Sequence, residues 1–236
     1  MRSATTSLRP HQRYRAPALR KPSPRLPELS PSQLVCKRAL DLALVVPMLL
    51  LCAPLWLVLI SWIRVTSAGP ALFRQRRLGF RGREFILFKF RSMLLSGDES
   101  HRDYTRHWIR SGQSARQVDG SFKLTGDPRI TRAGKFLRKY SLDELPQLLN
   151  VLKGDMSLVG PRPAMSYEVA EYQPWQRQRL NAQPGLTGLW QVSGRNQLSF
   201  EQMVNLDLEY IRTWSLQNDL RILLRTIPVV LRGTGH

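Results

Sequence analysis

The stretch from Ala39 to Ile63, ALDLALVVPMLLLCAPLWLVLISWI, is almost continuously apolar and decides what kind of protein this is. About 20 apolar residues suffice to cross the hydrocarbon core of a bilayer, so by length the segment can span one. Three features argue against a plain crossing. Asp41 lies near its start, Pro47 and Pro54 interrupt it, and Lys37-Arg38 before it and Arg64 after it leave no charge asymmetry to orient a span. Basic residues at both ends suit a helix that enters one leaflet, bends at a proline and returns to the same side. Irregular backbone at membrane depth needs cover, which two short legs packed together provide. The pattern alone leaves hairpin and span open.

Upstream, residues 1 to 32 are rich in Arg, Pro and Ser and have no apolar periodicity. They cannot offset their ordering entropy by burial and are expected to be a disordered tail. Such Pro-rich sequence does not make the amphipathic helix of a transit peptide, and no signal-peptide core precedes the apolar run. A tether to anionic lipid and a solvated linker are both compatible with it. The 236 residues bury one moderate core, so residues 67 to 236 read as one domain beyond the membrane segment at 33 to 66. Lys+Arg 36 against Asp+Glu 17 gives a formal net charge of +19. That excess calls for an anionic partner: nucleic acid, lipid headgroups or a phosphorylated substrate. Cys36 and Cys52 lack Cys-x-x-Cys spacing and suggest neither a disulfide framework nor a zinc site.

Downstream, Gly69-Pro70 marks a turn, and Ala71 to Gly82 carries Arg74, Arg76, Arg77 and Arg81 where the chain should leave the membrane. Anionic headgroups fit that patch. Phe85-Ile86-Leu87-Phe88-Lys89-Phe90-Arg91 alternates, which predicts a short strand delivering Lys89 and Arg91 to one face; a basic face in solvent is the plainer alternative. Residues 95 to 122 are polar and read as a mobile surface insertion with one helix near Tyr104 to Ile109. Leu124 to Arg129 forms a turn, after which Thr131 caps a basic helix running through Lys139 and carrying Arg138.

The next stretch, Arg138 to Pro163, carries the candidate chemistry. Ser141 and Glu144 have capping-box spacing, Leu145, Leu148, Leu149 and Leu152 recur at helical spacing, and Gly154 supplies a stop. Pro146 is deep for that cap, so the helix start can slip to Asp143. Either register puts Asp143 and Glu144 in the first turn, where free N–H groups favour negative charge. Alone, two acids there merely decorate a helix start. Here Arg138 and Lys139 lie just upstream, and Arg162 is fixed between Pro161 and Pro163 downstream. Adjacent carboxylates among fixed cations can hold a divalent metal and present a nucleophile to a phosphate. Further on, the glycines of Pro184 to Trp190 and Ser193 to Asn196 either grip a nucleotide or make structural turns. Phe200 to Trp214 reads as a helix. Leu220 to Leu231, with Pro228 and with Arg221, Arg225 and Arg232 spaced along it, reads as a helix on a membrane surface or in a core.

Ser141 to Gln147, Asn150 to Ser157 and Val159 to Pro163 resemble motifs of the bacterial monotopic phosphoglycosyl transferases, and matching motifs run from Lys37 to about Pro228. The likeness is strongest to the short galactosyl- or glucosyl-phosphate transferases that start exopolysaccharide repeats such as succinoglycan. The resemblance implies a predominantly α fold with minor β (α+β), a single membrane-associated domain with an N-terminal re-entrant helix-break-helix and amphipathic surface helices, on the cytoplasmic face of the bacterial inner membrane. Many relatives carry Ser-Pro at the break where this chain has Ala53-Pro54. The resemblance further implies transfer of hexose 1-phosphate, galactose or glucose, from a UDP-hexose to undecaprenyl phosphate, releasing UMP. In that scheme Asp143 is the nucleophile of a covalent phosphosugar-aspartate and Glu144 ligates Mg²⁺. Lys89, Arg91, Arg138, Arg162 and Arg195 would bind the diphosphate or nucleotide, and Asp207 is an acidic residue near the site. Anionic lipids are expected partners, nucleic acid is not, and a homodimer is left open. The competing reading is a non-enzymatic basic protein gripping lipid or nucleic acid, which has no use for an acid pair ringed by cations.

Overall fold

The computed structural model describes residues 29–94, 99–113 and 129–233. Most of the expected tail, residues 95–98 and 114–122 of the expected surface insertion, and residues 124–128 of the expected turn lie outside the described residues. The first element is helix α1 (Pro31–Thr66), started by a capping box in which Ser30 Oγ accepts from the Gln33 N–H and Gln33 accepts from the Ser30 N–H, with Pro31 in the first turn. Pro47 and Pro54 sit inside it. Each withholds one N–H and crowds the carbonyl four residues earlier. The break expected at Pro54 therefore takes the form of prolines within one helix, and no non-helical segment interrupts it.

Burial along α1 is confined to its two legs. Lys37, Asp41 and Val45 are buried on the first and Leu59 and Ile63 on the second, while Leu50, Leu51, Leu57 and Val58 between them are exposed. Trp56 and Trp62 of the second leg meet Phe90 and Phe136 edge-on at 5.6 and 5.5 Å. Both ends of the helix thus rest on one folded body while its apolar middle does not. A plain crossing would put those ends on opposite sides of a bilayer; this arrangement fits a segment dipped in from one side.

Strands β1 (Leu72–Leu78) and β2 (Glu84–Phe90) form an antiparallel hairpin whose register pairs Phe73 with Lys89 and Arg77 with Phe85. Alternation then places Arg77 and Lys89 on the same face. The side-chain amide of Asn150 closes the outer edge of β2, accepting from Phe88 N–H and donating to Ile86 carbonyl. Helix α2 (Glu99–Ser111) is longer than the sequence suggested and is no bare surface insertion: Thr105 and Trp108 are buried, Trp108 edge-on to Phe200 at 5.3 Å. After α3 (Arg132–Lys139) come α4 (Gln147–Lys153), β3 (Ser157–Val159), α5 (Ser166–Ala170), β4 (Gly185–Thr187), α6 (Leu189–Ser193), α7 (Phe200–Arg212) and α8 (Leu216–Leu231). Strands β3 and β4 pair in parallel. The main core gathers Leu148, Val151, Met156, Leu158, Phe200, Met203, Val204, Leu208 and Ile222, with Val45 of α1 among them.

Helix α8 meets both expectations at once. Ile222 and Asp219 are buried, while Leu216, Leu220, Leu224, Ile227 and Leu231 form an exposed apolar stripe at helical spacing, as an interfacial helix requires.

A buried ion pair ties α1 to α8. Lys37 Nζ lies 2.7 Å from Asp219 Oδ2 and donates to Val159 carbonyl at 3.0 Å and to the Tyr210 hydroxyl at 3.1 Å. Tyr210 Oη and Trp214 Nε1 complete the shell of Asp219 at 2.8 and 3.1 Å. Removing one member of such a pair leaves the other charge buried alone. Lys37→Met is expected to destabilise the detergent-solubilised protein by about 3–5 kcal/mol, and adding Asp219→Asn should recover part of that loss; denaturant titration of the single and double variants measures both.

Candidate active site

The acid pair is presented by a tight reversal between two helices. Helix α3 is capped by Thr131, whose Oγ1 accepts from the Gly134 N–H at 2.9 Å. A Cβ at Gly134 would land on the Ser92 carbonyl, so glycine lets α3 press against the end of the hairpin. The sequence expectation of a Ser141 cap fails here. Ser141 has φ 55°, makes no side-chain cap, and turns the chain through a left-handed step into a 3-10 turn over Leu142–Glu144. Helix α4 proper begins at Gln147, because Pro146 has no N–H to give and is tolerated only at a helix start. Among the described residues only Arg81, Ser141 and Arg195 combine a side chain with positive φ, and two of those three border the acid pair. Such strain persists where the surrounding fold over-determines it.

Lys89 Nζ stands 3.0 Å from Glu144 Oε1. Burial resists the charge on Glu144, but the Lys89 ion pair and hydrogen bond, with the fields of Arg162 and Arg195, prevail and hold the carboxyl below its usual range. Asp143 shifts the other way: burial raises it, and the neighbouring Glu144 charge adds to that, against the pull of Lys89 and Arg138. Two adjacent carboxyls are thereby pushed apart, one firmly ionised and one more basic than an ordinary aspartate.

Opposite them runs Gly160-Pro161-Arg162-Pro163, a segment whose carbonyls are taken one after another. Pro161 O accepts from Gly185 N–H at 2.8 Å, Arg162 O from Arg179 Nη2 at 3.3 Å, Pro163 O from Arg77 Nη1 at 3.2 Å and Ala164 O from Leu78 N–H at 2.8 Å. Gly160 N–H donates to Thr187 O at 2.9 Å. A Cβ at Gly160, Gly185 or Gly188 would strike backbone of the facing strand. Gly185 and Gly188 of the Pro184–Trp190 stretch therefore serve close backbone packing, the structural side of the two readings. What the segment leaves uncommitted is the Arg162 guanidinium, which makes no ion pair or side-chain hydrogen bond among the described residues.

Of the residues singled out by sequence, Asp143, Glu144, Lys89, Arg138, Arg162 and Arg195 converge: Lys89 and Arg138 act on Asp143, and Lys89, Arg162 and Arg195 on Glu144. Arg91 does not join them. β2 ends at Phe90, alternation lapses, and Arg91 is buried with its guanidinium donating to Ser67 O, Ser67 Oγ and Ala68 O. It clamps the exit from α1. Asp207 also stands back, fully buried 2.6 Å from Arg179, which in turn holds Arg162 O and the Tyr172 hydroxyl. Burial lifts Asp207 to about 6 even against the Arg179 charge. Arg77, which the sequence placed in a headgroup patch, is buried instead, and neither it nor Arg179 was assigned to the site; only their burial reveals them. No three His, Cys, Asp or Glu side chains converge as a complete metal site among the described residues. The adjacent carboxyls still suit Mg²⁺, which is commonly bound by one or two carboxylates and completed by water and substrate phosphates.

A family described as bacterial sugar transferase matches residues 32–233. The galactosyl transferase CpsE of Streptococcus agalactiae serotype III is 47% identical over 205 residues, 86% of this chain and 44% of that protein. The undecaprenyl-phosphate galactose phosphotransferase of Salmonella typhimurium is 45% identical over 201 residues, 84% of this chain and 41% of that protein. The exopolysaccharide production protein ExoY of Rhizobium meliloti is 40% identical over 201 residues, 85% of this chain and 88% of that protein. The chain thus spans less than half the length of the first two relatives and most of the third.

Close contact between Gly160 and Gly185 fixes where Arg162 stands. Gly185→Ala would force its Cβ onto the Gly160 amide and the Thr187 carbonyl, neither of which can swing aside. The substitution is expected to cost about 1–3 kcal/mol, read as a lower unfolding midpoint in detergent.

Proposed function

The chain belongs to the bacterial sugar transferase family, and from that membership we propose that it transfers hexose 1-phosphate, galactose or glucose, from a UDP-sugar to undecaprenyl phosphate with release of UMP. The reaction would be the first membrane step of exopolysaccharide assembly, at the cytoplasmic face of the bacterial inner membrane. The observation that carries this reading is the Asp143–Glu144 turn ringed by Lys89, Arg138, Arg162 and Arg195, on a body that also holds both ends of an apolar helix. The names of the Salmonella and Streptococcus relatives support the class of reaction.

The two carboxyls divide the work. Glu144 is tied to Lys89 and firmly ionised, which suits a fixed ligand. Asp143 carries no ion pair among the described residues and is the more basic of the two, which suits a nucleophile. An Asp143 carboxylate oxygen attacks the phosphorus bearing the sugar. The bond from that phosphorus to the bridging oxygen breaks, and UMP leaves with the oxygen and its electron pair. A phosphate oxygen of undecaprenyl phosphate then attacks the same phosphorus, forming the lipid diphosphate sugar and returning Asp143 as a carboxylate. Mg²⁺ held by Glu144 would supply charge neutralisation for the diphosphate. Arg162, Lys89, Arg138 and Arg195 stabilise the oxygens on which negative charge builds. One nucleophile serves a soluble donor first and a lipid acceptor second, so ping-pong kinetics follow.

Asp143→Asn is expected to abolish both transfer and acceptor-free UMP release, and the mass of a phosphosugar adduct should be missing from the intact protein; an adduct on that variant would sink the assignment. Glu144→Gln should chiefly weaken Mg²⁺ dependence and rate. Because the Asp143 carboxyl is raised, the reactive carboxylate is lost as pH falls through that raised value. Single-turnover UMP release should therefore decline on the acid side at a pH above the ordinary aspartate range of about 4.

A further inference from the structure

Arg77 sits among the β1 arginines whose charge suggested lipid headgroups, yet it is 4% exposed and its side chain lies behind the Arg162 segment. Nη1 donates to Pro163 carbonyl at 3.2 Å, while Nε and Nη2 both donate to Gln75 Oε1 at 3.2 and 2.8 Å. No carboxylate lies within ion-pair distance of it among the described residues. The negative groups that act on it are farther off: Glu168, whose Oε2 accepts from the Met165 N–H at 3.0 Å, and Glu144 of the acid pair. Burial, and then the like charge of Arg162, push Arg77 down to about 10. A guanidinium taken from water without a counter-ion is costly, and a cost retained beside a reactive site points to use there.

We propose that Arg77 is a positioning residue for Arg162, holding the Pro163 carbonyl so that the free guanidinium one residue earlier faces the donor diphosphate. This rests on the reading of the site as one that binds a UDP-sugar. The arginine works through Pro163 and need not touch substrate. A merely structural Arg77 would stabilise the fold without caring whether Arg162 is present, and that difference is measurable.

The test is a double-mutant cycle on steady-state UMP release in the presence of undecaprenyl phosphate, with Arg77→Met, Arg162→Met and the pair. Arg77→Met is expected to raise KM for the UDP-sugar on the order of 10- to 100-fold, with a smaller change in kcat. Arg77→Lys, which keeps charge but loses the fork, should recover part of it. The double variant should be no worse than Arg162→Met alone, because the two act as one unit. Losses that multiply across the cycle, or an Arg77→Met enzyme with unchanged KM, would overturn the proposal. Thermal scans check folding, and if Arg77→Met unfolds, Arg77→Lys carries the cycle. Were the wild type to release no UMP, the proposed function would fail; the same four proteins titrated with inorganic pyrophosphate would still decide whether Arg77 and Arg162 are coupled.

Discussion

Everything in this fold refers back to the charge pair between Lys37 and Asp219. An ammonium and a carboxylate removed from water must find each other and then satisfy what remains of their hydrogen-bonding capacity, and here the remainder is met by Tyr210, Trp214 and the carbonyl of Val159. Those partners come from α7, the segment after it and β3. The membrane helix is therefore a strut of the core, with Asp41 extending the same seam by accepting from Ser157 Oγ and Leu158 N–H. Its neighbour Arg38 does for α4 what Lys37 does for β3, donating to the carbonyls of Val151 and Leu152. The turn carrying Asp143 and Glu144 leads into α4, and the segment carrying Arg162 leaves β3. Two halves of the candidate site on different elements thus share one reference, the start of α1, and the acid pair and Arg162 keep a set position relative to that helix.

The site concentrates features that cost free energy when taken singly. A serine in the left-handed region, glycines packed backbone to backbone and a buried arginine without a counter-ion all weaken a fold. They are tolerated because each fixes the aim of a charge. Paired prolines remove N–H groups that would need partners, the carbonyls between them are all occupied, and one guanidinium is left over. Lys89 reaches Glu144 from β2, placed there by hairpin register. Most of the positional accuracy therefore comes from backbone contacts, which relax less than long side chains do.

Sequence carried the broad outline well. The apolar run with its prolines and matched basic flanks left hairpin and span open, and the structure rests both of its legs on one body; the acid pair between Arg138 and Arg162 marked the turn toward which the cations converge. What it could not carry was which neighbour claims each charge. Lys89 and Arg91 share a strand face only if the strand continues to Arg91; it ends one residue short, and Arg91 turns to the exit of α1. Arg77 looked like its surface neighbours because residue type says nothing of burial. Asp207 was near the site in residue type alone, since its effect passes through Arg179. Capping-box spacing at Ser141 misled for a local reason, as a left-handed residue after Tyr140 cannot offer its side chain to the following turn.

The partners of α1 lie far along the chain. Lys37 waits for Val159, 122 residues later, and for Asp219, 182 residues later. During synthesis, therefore, the apolar helix is made before the distant partners that enclose Lys37 and Asp41 exist. Contacts of such separation are slow to close and leave the early segment exposed meanwhile. A bilayer that receives the helix while the ribosome is still working would shield the apolar middle and keep both polar legs at its surface, where the later strands and helices can find them. In that order of events the lipid surface would be the template on which the folded body is assembled.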